Sequence, residues 1–226
     1  MLSKNPYSIL LTPINRTEIF SSNAFADNFI AEVQASYAQY IEVQVPSEKR
    51  MLEKYYDHLV PLAAIEQPIT GHCVLAYPAD DKKDYIAHLP LAMQRFYADL
   101  GITSVYLMDF NNTPLYKFPF ENFKKHNKFK HLAKGKANGV GYQLDVQHLH
   151  QVLPLFFFSR KYDVPVIFLL TAIGTVPLSI RMCDDGNLHL NFQEKYRGQI
   201  EAAASAAELC IGDLEICTVH RLHELR

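Results

Sequence analysis

Two rhythms of apolar and polar residues run along this chain, one of period two and one near three and a half. Tyr7–Thr12 is a short apolar run closed by Pro13 and reads as a strand. Ser21, Ser22 or Asn23 can cap the helix that follows. In that helix Phe25, Phe29, Ile30, Val33 and Tyr37 recur at three-to-four spacing and share one buried face. Tyr40–Val45 then alternates, with Ile41, Val43 and Val45 on one side and Glu42 and Gln44 on the other, as a half-buried strand does. Pro46 ends it. Ser47 caps a second helix with Leu52, Tyr55, Leu59 and Leu62 inward, and His72–Tyr77 returns as a strand.

The same two rhythms continue through the second half of the chain. Leu89–Leu100 predicts a helix, and Gly101 suits the left-handed position that closes one. Ile102–Phe110 is a strand. Asn111-Asn112-Thr113-Pro114 is turn chemistry, and Leu115–Phe118 is expected to return as a hairpin arm. Asp145 caps a helix from Val146 to about Lys161 with a break at Pro154. Val164–Thr171 is a buried strand. Val176–Cys183 and Leu188–Gln193 flank Asp184-Asp185-Gly186-Asn187, the clearest hairpin signal in the chain. Gly198–Leu209 is a helix with an alanine-rich middle, and Leu214–Val219 a closing strand.

This order, with helices and strands alternating first and hairpins later, predicts an α/β fold: one partly antiparallel mixed sheet with helices packed on it. A single domain spanning 1–226 is expected, interrupted by a basic loop at 121–141 that could also mark a boundary between two lobes. The expected core includes Phe29, Val33, Val43, Leu59, Val74, Leu100, Val105, Leu107, Leu149, Val152, Val166, Phe168, Leu178, Ile180, Leu190 and Ile216.

Composition narrows the setting. At 226 residues the chain can bury roughly 70% of its unfolded surface and needs no disulfide or metal staple. With 22 basic and 24 acidic side chains it has no overall field to draw it to nucleic acid or anionic lipid, so any such binding must be local. Cys73, Cys183, Cys210 and Cys217 form no C-x-x-C pair or zinc-finger spacing, so reduced cysteines, a cytoplasmic setting and no metal or cofactor are expected. Met1–Pro6 lacks the features of a signal peptide. Val164–Ile180 holds seventeen residues without a charge, but Pro165, Gly174 and Pro177 break it into two buried strands rather than a membrane span.

One segment departs from this neutral background. Lys124, Lys125, His126, Lys128, Phe129, Lys130, His131, Lys134 and Lys136 fall within thirteen residues that contain six lysines, two histidines and no acid. Phe118, Phe120, Phe123 and Phe129 are interleaved with them. Lysines neutralise phosphates and aromatic rings stack on unpaired bases, so these residues form the candidate ligand-binding site, with single-stranded nucleic acid the expected partner. An acidic protein would meet the same charge, and a solvated loop anchored by its phenylalanines would carry no ligand at all. Gly135-Lys136-Ala137-Asn138-Gly139-Val140-Gly141 fits no phosphate-loop pattern, because Gly-Lys comes first and no strand precedes it.

Other candidates are weaker. His148 and His150 point about 200° apart on a helix and cannot share a metal there. His220 and His223 form a pair without a third ligand. Asp184 and Asp185 sit where a hairpin wants them, and Asp109 ends a strand, where α/β enzymes often place functional groups. His72 and Cys73 are strand neighbours facing opposite ways. Arg197 and Ala202 match the Arg-x-x-Gly-x-Gly/Ala pattern by which the loop of GNAT-type acetyltransferases holds coenzyme A pyrophosphate. That stretch resembles this family over about twenty residues and implies an acyltransferase-like site near Arg197, although Ile200 stands where the middle glycine belongs. Three classes of function are thus expected: an intracellular binding protein for an acidic ligand, a non-enzymatic inhibitor or immunity-type partner of another protein, and an enzyme with a degenerate acyltransferase-like site.

Overall fold

In the computed structural model, residues 11–14, 19, 45–47, 71–109, 115, 118, 120–133, 141–157, 167–183 and 186–219 are described. The expected helix over 21–37, all but Val45 of the strand expected over 40–45, all but Ser47 of the helix expected over 47–62, and the core residues Phe29, Val33, Val43, Leu59 and Val166 lie outside these residues.

The described strands are β1 (Leu11–Ile14), β2 (Gly71–Ala76), β3 (Ser104–Asp109), β4 (Gly141–Asp145), β5 (Ile167–Ile173), β6 (Leu178–Met182), β7 (Leu188–Phe192) and β8 (Cys210–Gly212). They form one sheet in the order β1-β4-β3-β5-β6-β7-β2-β8. The fold is mixed α/β, and every described pairing is antiparallel, which sharpens the expectation of a partly antiparallel sheet. The helices among the described elements are α1 (Lys82–Asp99), α2 (Phe123–Leu132), α3 (Leu149–Val152), α4 (Arg197–Ala206) and α5 (Ile216–Val219). No described helix is long and apolar enough to cross a membrane.

Strand periodicity assigns each residue to one face of the sheet. Leu75, Leu107, Tyr142, Leu169, Ile180, Leu190 and Phe192 face a single hydrophobic cluster, completed by the inner sides of α1, α2, α3 and α4. On α1 this side is Tyr85, Leu89, Ala92, Met93, Phe96 and Tyr97, a helical stripe around the internal Pro90. Residues of the opposite face, including Val74, Met108, Phe168 and Leu170, are buried as well. That two-sided burial is why β5 reads as an unbroken apolar run and not as an alternation.

Turn chemistry placed several boundaries correctly. Gly101 closes α1 at φ +66°, and Gly186 takes φ +81° in the β6–β7 turn, where the Cys183 N–H donates to the Asn187 carbonyl at 2.9 Å. α1 begins seven residues before the expected Leu89, because Asp81 caps it by accepting from the Asp84 N–H at 2.7 Å. β1 runs through Pro13, which an edge strand tolerates because its outer side needs no donor.

Four expectations are corrected. Leu115–Phe118 is no hairpin arm: β3 already has β4 and β5 on its two sides, and the Phe118 N–H closes a turn onto the Leu115 carbonyl. The helix expected from Val146 is a relay of short pieces, 3-10 turns at Val146–His148 and Leu153–Leu155 around α3, and the Asp145 side chain does not cap it. Pro154 lacks the N–H that a continuous helix would need there. Leu214–Val219 is not a strand: β8 precedes it at Cys210–Gly212, and the chain turns into α5. Ile216, expected in the core, is only half-buried. Val74, Leu100, Val105, Leu107, Leu149, Val152, Phe168, Leu178, Ile180 and Leu190 are buried as expected.

Candidate functional site

Within the basic segment expected as a loop over 121–141, Phe123–Leu132 is a helix. Asn122 takes an extended backbone and its side-chain oxygen accepts from the Lys125 N–H at 3.0 Å, so α2 starts with a capped first turn. Lysine is a good helix former, and glycine is absent until Gly135, so nothing in 123–132 opposes the helix. Lys130 and His131 stand in the last turn, where positive charge complements the helix dipole.

Helix geometry then divides the candidate residues. Phe129 and Leu132 are buried on the inner face. Phe129 packs edge-on to Tyr142 and Phe156 and lies 5.3 Å from Phe120, centroid to centroid. Phe118 and Phe120 join the same aromatic cluster and are 6% and 4% exposed. Three of the four interleaved phenylalanines are therefore core residues that no base can stack on; Phe123 alone is open, at 68% exposure.

Lys125 is also withdrawn from the outer face. Its Nζ lies 2.7 Å from the Glu121 carboxylate and donates to the Phe157 carbonyl at 2.8 Å, tying α2 to the chain after α3. The His126 ring stacks on Phe120 at 5.4 Å with an interplanar angle of 15°, and its Nε2 is buried without a hydrogen-bond partner. Lys124, Lys128, Lys130 and His131 remain exposed. At 100° per residue, Lys124, Lys128 and His131 lie within about 60° of one another, with Phe123, Asn127 and Lys130 on the adjoining flank. Lys134 and Lys136 lie outside the described residues.

A second grouping lies among residues whose spacing in the sequence predicts no metal site. One ligand atom from each of Cys183, His189 and Cys217 lies within 4.8 Å of the others. Cys183 follows β6, His189 is on β7 and Cys217 on α5. The Cys217 Sγ is 3.4 Å from His189 Nε2. His189 is 8% exposed, and both cysteines are half-buried. The His72 ring leans on the His189 ring at 6.0 Å, while His72 Nδ1 meets the Asn191 Oδ1 at 3.0 Å. No short motif could have revealed this set, since Cys217 lies 28 residues from His189 and is brought there by β2 and β8.

The remaining candidates fall apart or lie elsewhere. Cys73 faces the hydrophobic core while its neighbour His72 faces the other way, so they form no nucleophile–base pair. Burial, only partly offset by the nearby Arg197 guanidinium, pushes the Cys73 thiol up to about 12. Arg197 opens α4 with its guanidinium on the Glu194 carboxylate, over the Phe192 ring and 3.4 Å from the His72 carbonyl. Ile200 is fully buried in the core, so the position of the acetyltransferase middle glycine carries a packing residue. His150 Nδ1 lies 3.0 Å from Gln94 Nε2 on α1. The side chain of Asp109, together with Asp184, Asp185, His220 and His223, lies outside the described residues.

No protein-family model, no curated protein and no solved structure matches this chain.

Proposed function

We propose that this protein binds an acidic ligand, with the phosphate backbone of nucleic acid the foremost candidate, through the outer face of α2. The observation that carries the reading is the sorting of that helix: Lys124, Lys128, Lys130 and His131 are exposed, and no acid occurs between Phe123 and Leu132. In a chain of net charge −2 this is a local positive face on a rigid, core-anchored element. With Phe118, Phe120 and Phe129 buried, the recognition rests on charge and not on base stacking, so it discriminates little between base sequences. Lys125 takes no part, since its ammonium is held by Glu121 and Phe157.

The test is binding of labelled single-stranded RNA and DNA across a salt series. Three lysine–phosphate contacts on a single strand give a log–log salt slope of about −2. The variant K124E/K128E/K130E is expected to abolish binding at moderate salt, while circular dichroism stays unchanged. Binding that survives the triple charge reversal, or that is absent at low salt, overturns the reading. Salt-sensitive capture of one acidic protein, with nucleic acid ignored, would instead support the inhibitor class of function.

A further inference from the structure

We propose that Cys183, His189 and Cys217 form a three-ligand binding site for a thiophilic divalent cation of the zinc type, with a fourth coordination position supplied from outside this trio. The chemistry of the set is the first reason. Two thiolates and an imidazole suit a borderline-soft, d10 ion, and two thiolate charges balance its double positive charge.

Distance is the second. Zinc–sulfur bonds of about 2.3 Å and zinc–nitrogen bonds of about 2.0–2.1 Å at tetrahedral angles separate the sulfur and nitrogen by roughly 3.5 Å. Cys217 Sγ and His189 Nε2 are 3.4 Å apart, so the folded chain already holds this edge of the polyhedron near its ligated length. Cys183 completes the triangle within 4.8 Å, so small rotamer adjustments bring all three atoms onto one ion.

The third reason is that each ligand is fixed by a different part of the fold. The β6–β7 turn, closed by the Cys183–Asn187 hydrogen bond and by Gly186 at φ +81°, sets Cys183 against His189. The Tyr85 hydroxyl donates to the Gly186 carbonyl at 2.7 Å and ties that turn to α1. β7 holds His189 with its ring against His72. Cys217 is presented by the turn that opens α5, in which its N–H donates to the Leu214 carbonyl at 3.1 Å. Cys73 is buried on the other face of the sheet and takes no part.

The experiment uses the full chain, purified with its thiols reduced, and zinc or cobalt(II) as the probe. Competition against a chromophoric chelator is expected to show one tightly bound zinc per chain. Cobalt(II) is expected to give the sulfur-to-metal charge-transfer absorption and the intense d–d bands of a tetrahedral thiolate site. C183S, H189A and C217S should each weaken zinc binding by at least about 100-fold, more than the 10- to 100-fold that losing a supporting contact costs. C210S should leave it unchanged. C217H keeps a ligand at the position, and should retain cobalt with about half the charge-transfer intensity, one thiolate of two remaining. That variant keeps the test decisive if a serine variant fails to fold. Zinc affinity that survives both C183S and C217S, cobalt spectra without sulfur charge transfer, or no stoichiometric zinc binding by the folded wild-type chain would each overturn the proposal.

Discussion

The basic helix and the cysteine–histidine trio are built in opposite ways. α2 draws all its exposed charge from ten consecutive residues, and its spacing alone decides which of them share a face. The trio draws on three elements that meet only because β7, β2 and β8 are neighbours in the sheet and α5 follows β8. A local site is conspicuous in composition yet ambiguous in exposure. A site assembled by the sheet is invisible in composition and is defined by packing between distant segments. The basic segment accordingly looked richer in sequence than it is: of nine candidate residues, Lys125, His126 and Phe129 turn out to be anchors of the helix.

The largest effect is expected at those anchors. Phe129→Ala removes a fully buried ring from the Phe120–Tyr142–Phe156 cluster and is expected to cost about 3–5 kcal/mol in urea denaturation. A loss below about 1 kcal/mol would mean that α2 is only loosely attached, and that its lysines are not held as a surface.

The contrast between the two faces of β2 and β7 gives the next effect. The Cys73 thiol, held up to about 12 by burial, keeps its proton in the folded chain where an ordinary cysteine, near 9, loses it. The stability this contributes is complete below pH 9 and is lost as pH rises toward 12, with a slope of about 1.4 kcal/mol per pH unit. Denaturation of wild type and C73A at pH 8, 9 and 10 should show the steeper decline in the wild type alone. Equal slopes would mean that the thiol is not sequestered.

The smallest effect is at the start of α2. Asn122→Ala leaves the Lys125 N–H without its side-chain acceptor and should cost about 1 kcal/mol, with N122D recovering most of it. Hydrogen exchange at the amides of 123–126 should accelerate in N122A. Unchanged exchange would show that Glu121 and Lys125 define the helix start without the cap.

Much of the scaffold was legible because it rests on local rules. The strands expected at Val176–Cys183 and Leu188–Gln193 hold β6 and β7, and their turn was legible from Gly186, whose positive φ a glycine accepts without steric cost. Gly101 marked the end of α1 for the same reason. The misreadings occur where a local signal was outweighed. Leu214–Val219 has a strand-like composition, but a short turn through Asp213 and Leu214 starts α5 there. The 121–141 segment lacks a broad apolar stripe, so its helix was missed; a two-residue inner face of Phe129 and Leu132 suffices because an aromatic cluster receives it.

By itself, the sequence determined an α/β chain with a hairpin-rich second half, a buried apolar framework and one locally basic segment, since propensity, periodicity and turn geometry act over a few residues. Only the tertiary structure decided that the sheet is antiparallel throughout its described strands, that Phe118, Phe120 and Phe129 in and before the basic segment are core, and that Cys183, His189 and Cys217 converge. Those outcomes depend on which strands become neighbours and which faces they bury, a choice made by packing between residues far apart in the chain.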